Sequence, residues 1–179
     1  MSDPIRVLIV DDHSIVREGL RLLLEEEERI EVIGEASNGA EAVSMAADMR
    51  PAVILMDLVM PQMDGIEATK NIAEVSPESN VLILTSFSED RRVPDAIQAG
   101  ATGYLLKDVL KPDLLRAIEA ASRGEPTLHP EAQRALMRRV SAPKEPDLLS
   151  GLTKREMDVL KLIANGRSNK EIAGSLLLT

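Results

Sequence analysis

Five times in the first two-thirds of the chain, a short apolar run rich in β-branched residues gives way to a stretch whose apolar residues recur at helical spacing. The runs are Ile5–Val10, Glu31–Ala36, Val53–Met56, Val81–Thr85 and Thr102–Leu106. Each has strand length and turn signals on its flanks, and each reads as a strand buried on both faces. Between them, helices are expected after Ser14 as cap, over Gly39–Ala47, over about 65–75, over about 90–99, and from near Pro112, which suits a first helical turn. Strict strand–helix alternation leaves few folds open. Parallel strands need crossover helices, and right-handed crossovers place those helices on both faces of one sheet. The expected architecture is therefore a doubly wound five-stranded parallel sheet of order 2-1-3-4-5.

Composition narrows the functional classes. Apolar residues make up 44% and charged residues 28% of the 179, the balance of a folded globular chain. Cysteine is absent, which removes disulfides, thiolate metal sites and cysteine nucleophiles. No apolar run approaches the ~18 residues of a membrane span. The opening, MSDPIRVLIVDD, has no signal-peptide pattern, so a cytoplasmic location is expected. Charge is uneven. Residues 1–125 carry 12 Lys and Arg against 24 Asp and Glu, whereas residues 126–179 carry 9 against 6. The acidic front part is unsuited to holding phosphate backbone, while the tail is mildly basic. Phe87 and Tyr104 are the only aromatic residues, too few for base-stacking platforms.

Chemistry concentrates at one edge. Ligands of an open parallel sheet sit beyond the carboxyl ends of its strands. There the first strand delivers Asp11 and Asp12, the third Asp57, the fourth Thr85 and the fifth Lys107. Two carboxylates ~5 Å apart repel by about 3 kcal/mol at an effective dielectric near 20. Three together call for a counter-charge or a retained proton. Lys107 supplies one charge. A hard divalent cation supplies two, and Mg²⁺ typically takes one or two carboxylates and leaves room for phosphate oxygens. Asp57, single and central, is the candidate nucleophile for an aspartyl phosphate. Asp11 and Asp12 would hold the metal, while Lys107 and the Thr85 hydroxyl would meet phosphoryl oxygens. Any one acid at a strand end could be a plain loop starter or cap; the joint placement argues for a site.

These residues resemble a known family. Val10-Asp11-Asp12-His13, Met56-Asp57 through Asp64-Gly65, Leu84-Thr85 and Gly103-Tyr104-Leu105-Leu106-Lys107-Asp108 are similar to the signature of receiver domains of bacterial two-component response regulators, over about residues 3–124. Leu152–Leu160, Ile163–Gly166 and Ser168–Ala173 resemble the start of a LuxR-type helix-turn-helix domain, with capping boxes at Thr153/Glu156 and Ser168/Glu171. Together they point to the NarL/FixJ subfamily.

The resemblance implies a flavodoxin-like receiver domain over 1–124 and the N-terminal part of a helix-turn-helix domain over 151–179; between them the stretch 125–150, punctuated by Pro126, Pro130, Pro143 and Pro146, reads as a linker in which Pro130 opens a short helix through Val140. It implies that Asp57 accepts a phosphoryl group from a sensor histidine kinase, and that Mg²⁺ is held by Asp11, Asp12, Asp57 and the backbone carbonyl of Val59. Thr85 and Tyr104 take the switch positions and Lys107 the lysine position. Asp108 stands where many receivers have proline. The recognition helix would follow Thr179, so no DNA-binding residue is expected within this chain. The resemblance implies DNA binding only in a full-length protein and a phosphorylation-dependent homodimer, and no membrane partner is expected.

Other features carry less. Phe87 is a candidate for limiting water access to the phosphoryl site. His13 reads as a loop residue, and Glu25–Glu28 as a solvated charge run. The glycines lack phosphate-loop spacing. The expected protein is a phosphoacceptor and not a turnover enzyme. An Asp-nucleophile phosphatase and a receiver-only signalling module remain the alternatives.

Overall fold

The computed structural model describes residues 3–86 and 92–141. The elements alternate as β1 (Ile5–Val10), α1 (Ser14–Glu25), β2 (Ile30–Ala36), α2 (Gly39–Met49), β3 (Val53–Met56), α3 (Gly65–Val75), β4 (Asn80–Thr85), α4 (Val93–Gln98), β5 (Gly103–Leu106), α5 (Lys111–Ser122), β6 (Thr127–Leu128) and α6 (Pro130–Ser141). The strands form one parallel sheet of order β2-β1-β3-β4-β5-β6.

Side chains on each central strand alternate between two core layers, as the pleat requires. Leu8, Val10, Ile54, Met56, Val81, Ile83 and Tyr104 share one layer with Ala42 and Ala46 of α2, Ala68 and Ile72 of α3, Val93 and Ala96 of α4, and Ala132 of α6. Val7, Ile9, Val53, Leu55, Leu82, Leu84 and Leu105 share the other with Leu24 of α1 and Leu114, Ala117, Ile118 and Ala121 of α5. Both faces of the sheet are thus covered, which explains why the strands read as unbroken apolar runs.

The sheet has six strands and not the expected five. The sixth lies in the stretch read as linker, where Thr127 pairs with Gly103 and Leu128 with Tyr104. The His129 N–H donates to the Tyr104 carbonyl at 2.9 Å and extends the ladder. Gly103 permits the pairing, because a Cβ there would lie 2.7 Å from the Thr127 carbonyl oxygen and 2.6 Å from Leu82 Cδ1. The helix from Pro130 is present and runs to Ser141. At α1 the cap position belongs to His13, whose side chain makes no capping bond, and Ser14 is the first helical residue. The acidic run after α1 is partly paired, with Lys111 Nζ 2.6 Å from Glu26 Oε2 and 3.0 Å from Glu27 Oε1. The expected helix-turn-helix segment, 151–179, lies outside the described residues, as does Phe87. Among the described residues no helix is long and apolar enough to cross a membrane.

Candidate phosphoryl and metal site

The parallel register fixes which residues meet. Val10 pairs with Met56, Met56 with Ile83 and Ile83 with Tyr104, so β1, β3, β4 and β5 end side by side. The ladder continues one step past the strands. The Asp57 N–H donates to the Val10 carbonyl at 2.9 Å, and the Lys107 N–H to the Thr85 carbonyl at 2.8 Å. Asp11, Asp57, Thr85 and Lys107 therefore stand on a rigid edge and not on free loops.

Asp11 and Asp57 are buried. Lys107 Nζ lies 2.5 Å from Asp11 Oδ2 and 3.1 Å from Asp57 Oδ2. Asp57 Oδ1 accepts a bond from the Leu58 N–H at 2.8 Å. Burial holds the Asp57 carboxyl above the usual aspartate range, against the opposing pull of Lys107, and the nearby Asp11 charge adds to the rise. Burial alone would lower the Lys107 ammonium, yet its bonds to Asp11 and Asp57 hold it above the ordinary lysine value. Both shifts have one root: too many acids for one lysine in a dry pocket.

Asp12 is the more exposed partner, and its Oδ1 lies 2.8 Å from His13 Nδ1. Asp11, Asp12, His13 and Asp57 can each offer one ligand atom within 4.8 Å of all the others. Counting Asp11, Asp12 and Asp57 as charged, with Lys107 opposing them, the pocket keeps two uncompensated negative charges. A divalent cation with a preference for oxygen donors fits both that charge and that donor set.

The other expected residues fall as follows. Thr85 closes β4 and is fully buried. Tyr104, one residue into β5, is also buried, in the layer that holds α4 and α6. Val59 lies in the loop after β3, two residues beyond Asp57, and is exposed.

Three supports escaped the sequence reading. Arg17 donates from a guanidinium nitrogen to the Asp11 carbonyl at 2.7 Å, while its Nε pairs with Glu35 Oε2 at 3.2 Å, pinning the loop that bears the first two acids. Asp64 caps α3 by accepting from the Ile66 and Glu67 amides and also pairs with Arg92 at 2.8 Å, joining the β3–α3 loop to the start of α4. Gly65 leaves no room for a side chain, since a Cβ would overlap the Asp57 carbonyl oxygen. Arg17, on the first turn of α1, reads in sequence as one more helix charge, and the Asp64–Arg92 pair, 28 residues apart, leaves no local signal.

Known proteins resemble the chain in sequence and fold. The family model of response regulator receiver domains matches residues 7–119, and that of bacterial regulatory proteins of the luxR family matches residues 150–179. The chain is 48% identical over 176 residues to the transcriptional regulatory protein LiaR of Bacillus subtilis (strain 168), covering 98% of this chain and 83% of that protein. Among solved structures, the response regulator ChrA of a heme-sensing two-component system is 38% identical with a TM-score of 0.65, covering 99% of this chain and 84% of ChrA. A structure of two RcsB dimers bound to two parallel DNAs is 27% identical with a TM-score of 0.70, covering 99% of this chain and 85% of that one. The chain belongs to the two-component response regulators that join a receiver domain to a LuxR-type DNA-binding domain.

Proposed function

We propose that Asp57 is the phosphoacceptor through which a sensor histidine kinase controls this regulator. The observation that carries the reading is the buried Asp57 carboxylate, held by the Leu58 amide on one oxygen and by Lys107 on the other. In the transfer, an Asp57 carboxylate oxygen forms a bond to the phosphorus of a phosphohistidine. The P–N bond breaks, and its electron pair leaves on the imidazole nitrogen. The protein's part in such chemistry is positioning and charge neutralisation. Lys107 stays within reach of the added charge, and Thr85 brings a hydroxyl to the same edge. Mg²⁺, held by Asp11, Asp12, Asp57 and the Val59 carbonyl, would supply charge stabilisation for phosphoryl oxygens. The charge balance of the pocket and its oxygen donors support that assignment.

Readout follows from Thr85 and Tyr104. A Thr85 hydroxyl drawn toward a phosphoryl group changes what the end of β4 presents to the adjacent β5, where Tyr104 is buried. The buried layer around Tyr104 includes α4 and α6, so a shift there biases the surface they form. The reading extends to phosphorylation-dependent dimers that bind DNA through the LuxR-type domain, in the cytoplasm, with no catalytic turnover of its own. Two domains divided by a linker, receiver residues first and helix-turn-helix residues from about 151, complete it. The test is incubation with a small phosphodonor and Mg²⁺ followed by intact-mass measurement. Wild type gains one phosphoryl group and Asp57→Asn gains none. Equal gain in both would refute Asp57 as the acceptor.

A further inference from the structure

We infer that His13 is a nitrogen ligand at the metal site, making this receiver select first-row transition ions such as Mn²⁺ over Mg²⁺. This rests on the reading of the Asp11–Asp12–Asp57 cluster as the metal site. It adds a donor that reading does not use.

The geometry is set by the backbone. The His13 N–H donates to Asp11 Oδ1 at 2.9 Å, a short turn that folds residue 13 back over the acids. Its ring follows, with Nδ1 3.2 Å from Asp11 Oδ1 and 2.8 Å from Asp12 Oδ1. One ring nitrogen of His13 is also among the ligand atoms lying within 4.8 Å of one another, a set that includes an Asp57 oxygen. In the neutral tautomer with its N–H on Nε2, Nδ1 carries a lone pair on the side of those carboxylates, where a cation they hold would meet it. The His13 side chain is 64% exposed, so water can satisfy Nε2–H. Position 13 also holds the cap place before α1 without making a capping bond, so recruiting its ring costs the helix nothing.

The consequence is selectivity. Mg²⁺ favours oxygen donors and keeps its waters, so an added imidazole gains it little. Imidazole suits Fe²⁺, Ni²⁺, Cu²⁺ and Zn²⁺ best, and Mn²⁺, the lowest of the first-row series, still gains more from a nitrogen donor than Mg²⁺ does. His13 therefore raises affinity for Mn²⁺ more than for Mg²⁺.

The test uses the full chain and Mn²⁺ as probe. Electron spin-echo modulation of bound Mn²⁺ should show nitrogen coupling that changes frequency when histidine is ¹⁵N-labelled. Of the two histidines only His13 is near the site, since His129 lies past β6. In His13→Ala the coupling disappears, and the Mn²⁺:Mg²⁺ affinity ratio drops about tenfold, the scale of lost metal-site support. Bound Mn²⁺ with no histidine coupling in wild type would overturn the inference, as would an unchanged ratio in a folded variant. The wild-type labelling experiment stands even if His13→Ala does not fold. Neither failure touches phosphorylation of Asp57, which the mass measurement decides separately.

Discussion

Lys107 Nζ lies 2.5 Å from Asp11 Oδ2, closer than its 3.1 Å approach to Asp57 Oδ2. The lysine is thus the resident counter-ion of the acidic pocket, and it leans on Asp11 more closely than on Asp57, the proposed phosphoacceptor. Lys107→Ala leaves three carboxylates facing one another without a cation. Its melting temperature in EDTA should fall, since removing one partner of a buried pair is strongly destabilising. Added Mg²⁺ should then raise that temperature by more than it does in wild type, because ligand-linked stabilisation grows with affinity. Thermal melts with and without Mg²⁺ check both directions. An equal Mg²⁺ response in the two proteins would mean that Lys107 does not balance the pocket.

The raised Asp57 carboxyl gives a pH signature. The folded chain keeps this proton at a pH where the unfolded chain has already released it. Between the ordinary aspartate value and the raised one, the folded state therefore binds more protons, and stability from this group falls as pH rises through that window. In EDTA, Asp57→Asn should be more stable than wild type above the window, with the difference shrinking as pH falls through it. Melts of the two proteins in EDTA across a pH series measure the effect.

Gly65 and Asp57 are coupled through space. A methyl group at 65 meets the Asp57 carbonyl oxygen and the Leu58 backbone, which cannot rotate away as a side chain could. Gly65→Ala should cost about 1–3 kcal/mol by overpacking. It should also slow phosphoryl gain, because the backbone that carries Asp57 must shift. Denaturant melts and the rate of mass gain are the readouts.

The Asp64–Arg92 pair can be separated from the cap that Asp64 provides. Asp64→Asn keeps an acceptor for the Ile66 and Glu67 amides and loses only the ion pair, a half-exposed contact worth up to about 1 kcal/mol. Asp64→Ala also loses the cap, typically ~1 kcal/mol more. The difference between the two variants in urea melts should therefore exceed that between Asp64→Asn and wild type.

Most of this fold and site could be read from sequence because the controlling signals are local. Asp11, Asp57, Thr85 and Lys107 each follow or close an apolar run, and the parallel topology alone brings strand ends together. What escaped depends on individual side-chain and backbone contacts that no apolar pattern encodes. β6 is two residues long, has no apolar run, and exists because Gly103 leaves room for the Thr127 carbonyl. His13 lies in the loop before α1 as expected, and the bond from its N–H to the Asp11 side chain is a detail that spacing does not show. Arg17 reads as one more charge on a polar helix until Glu35 and the Asp11 carbonyl are seen around it.

The β6 pairing itself is testable. Gly103→Ala should loosen it, so the His129 amide, which donates to Tyr104, should exchange with deuterium faster in the variant than in wild type. The central amides of β1 should keep their protection.

Borohydride reduction of the phosphorylated chain, followed by peptide sequencing in the mass spectrometer, addresses the acceptor itself. An aspartyl phosphate is reduced to homoserine where the phosphoryl group was bound. Homoserine at position 57, formed only when phosphodonor and Mg²⁺ are both supplied, is the result expected here. Homoserine at 11 or 12, or phosphate found on a serine, threonine or histidine with position 57 untouched, would contradict it.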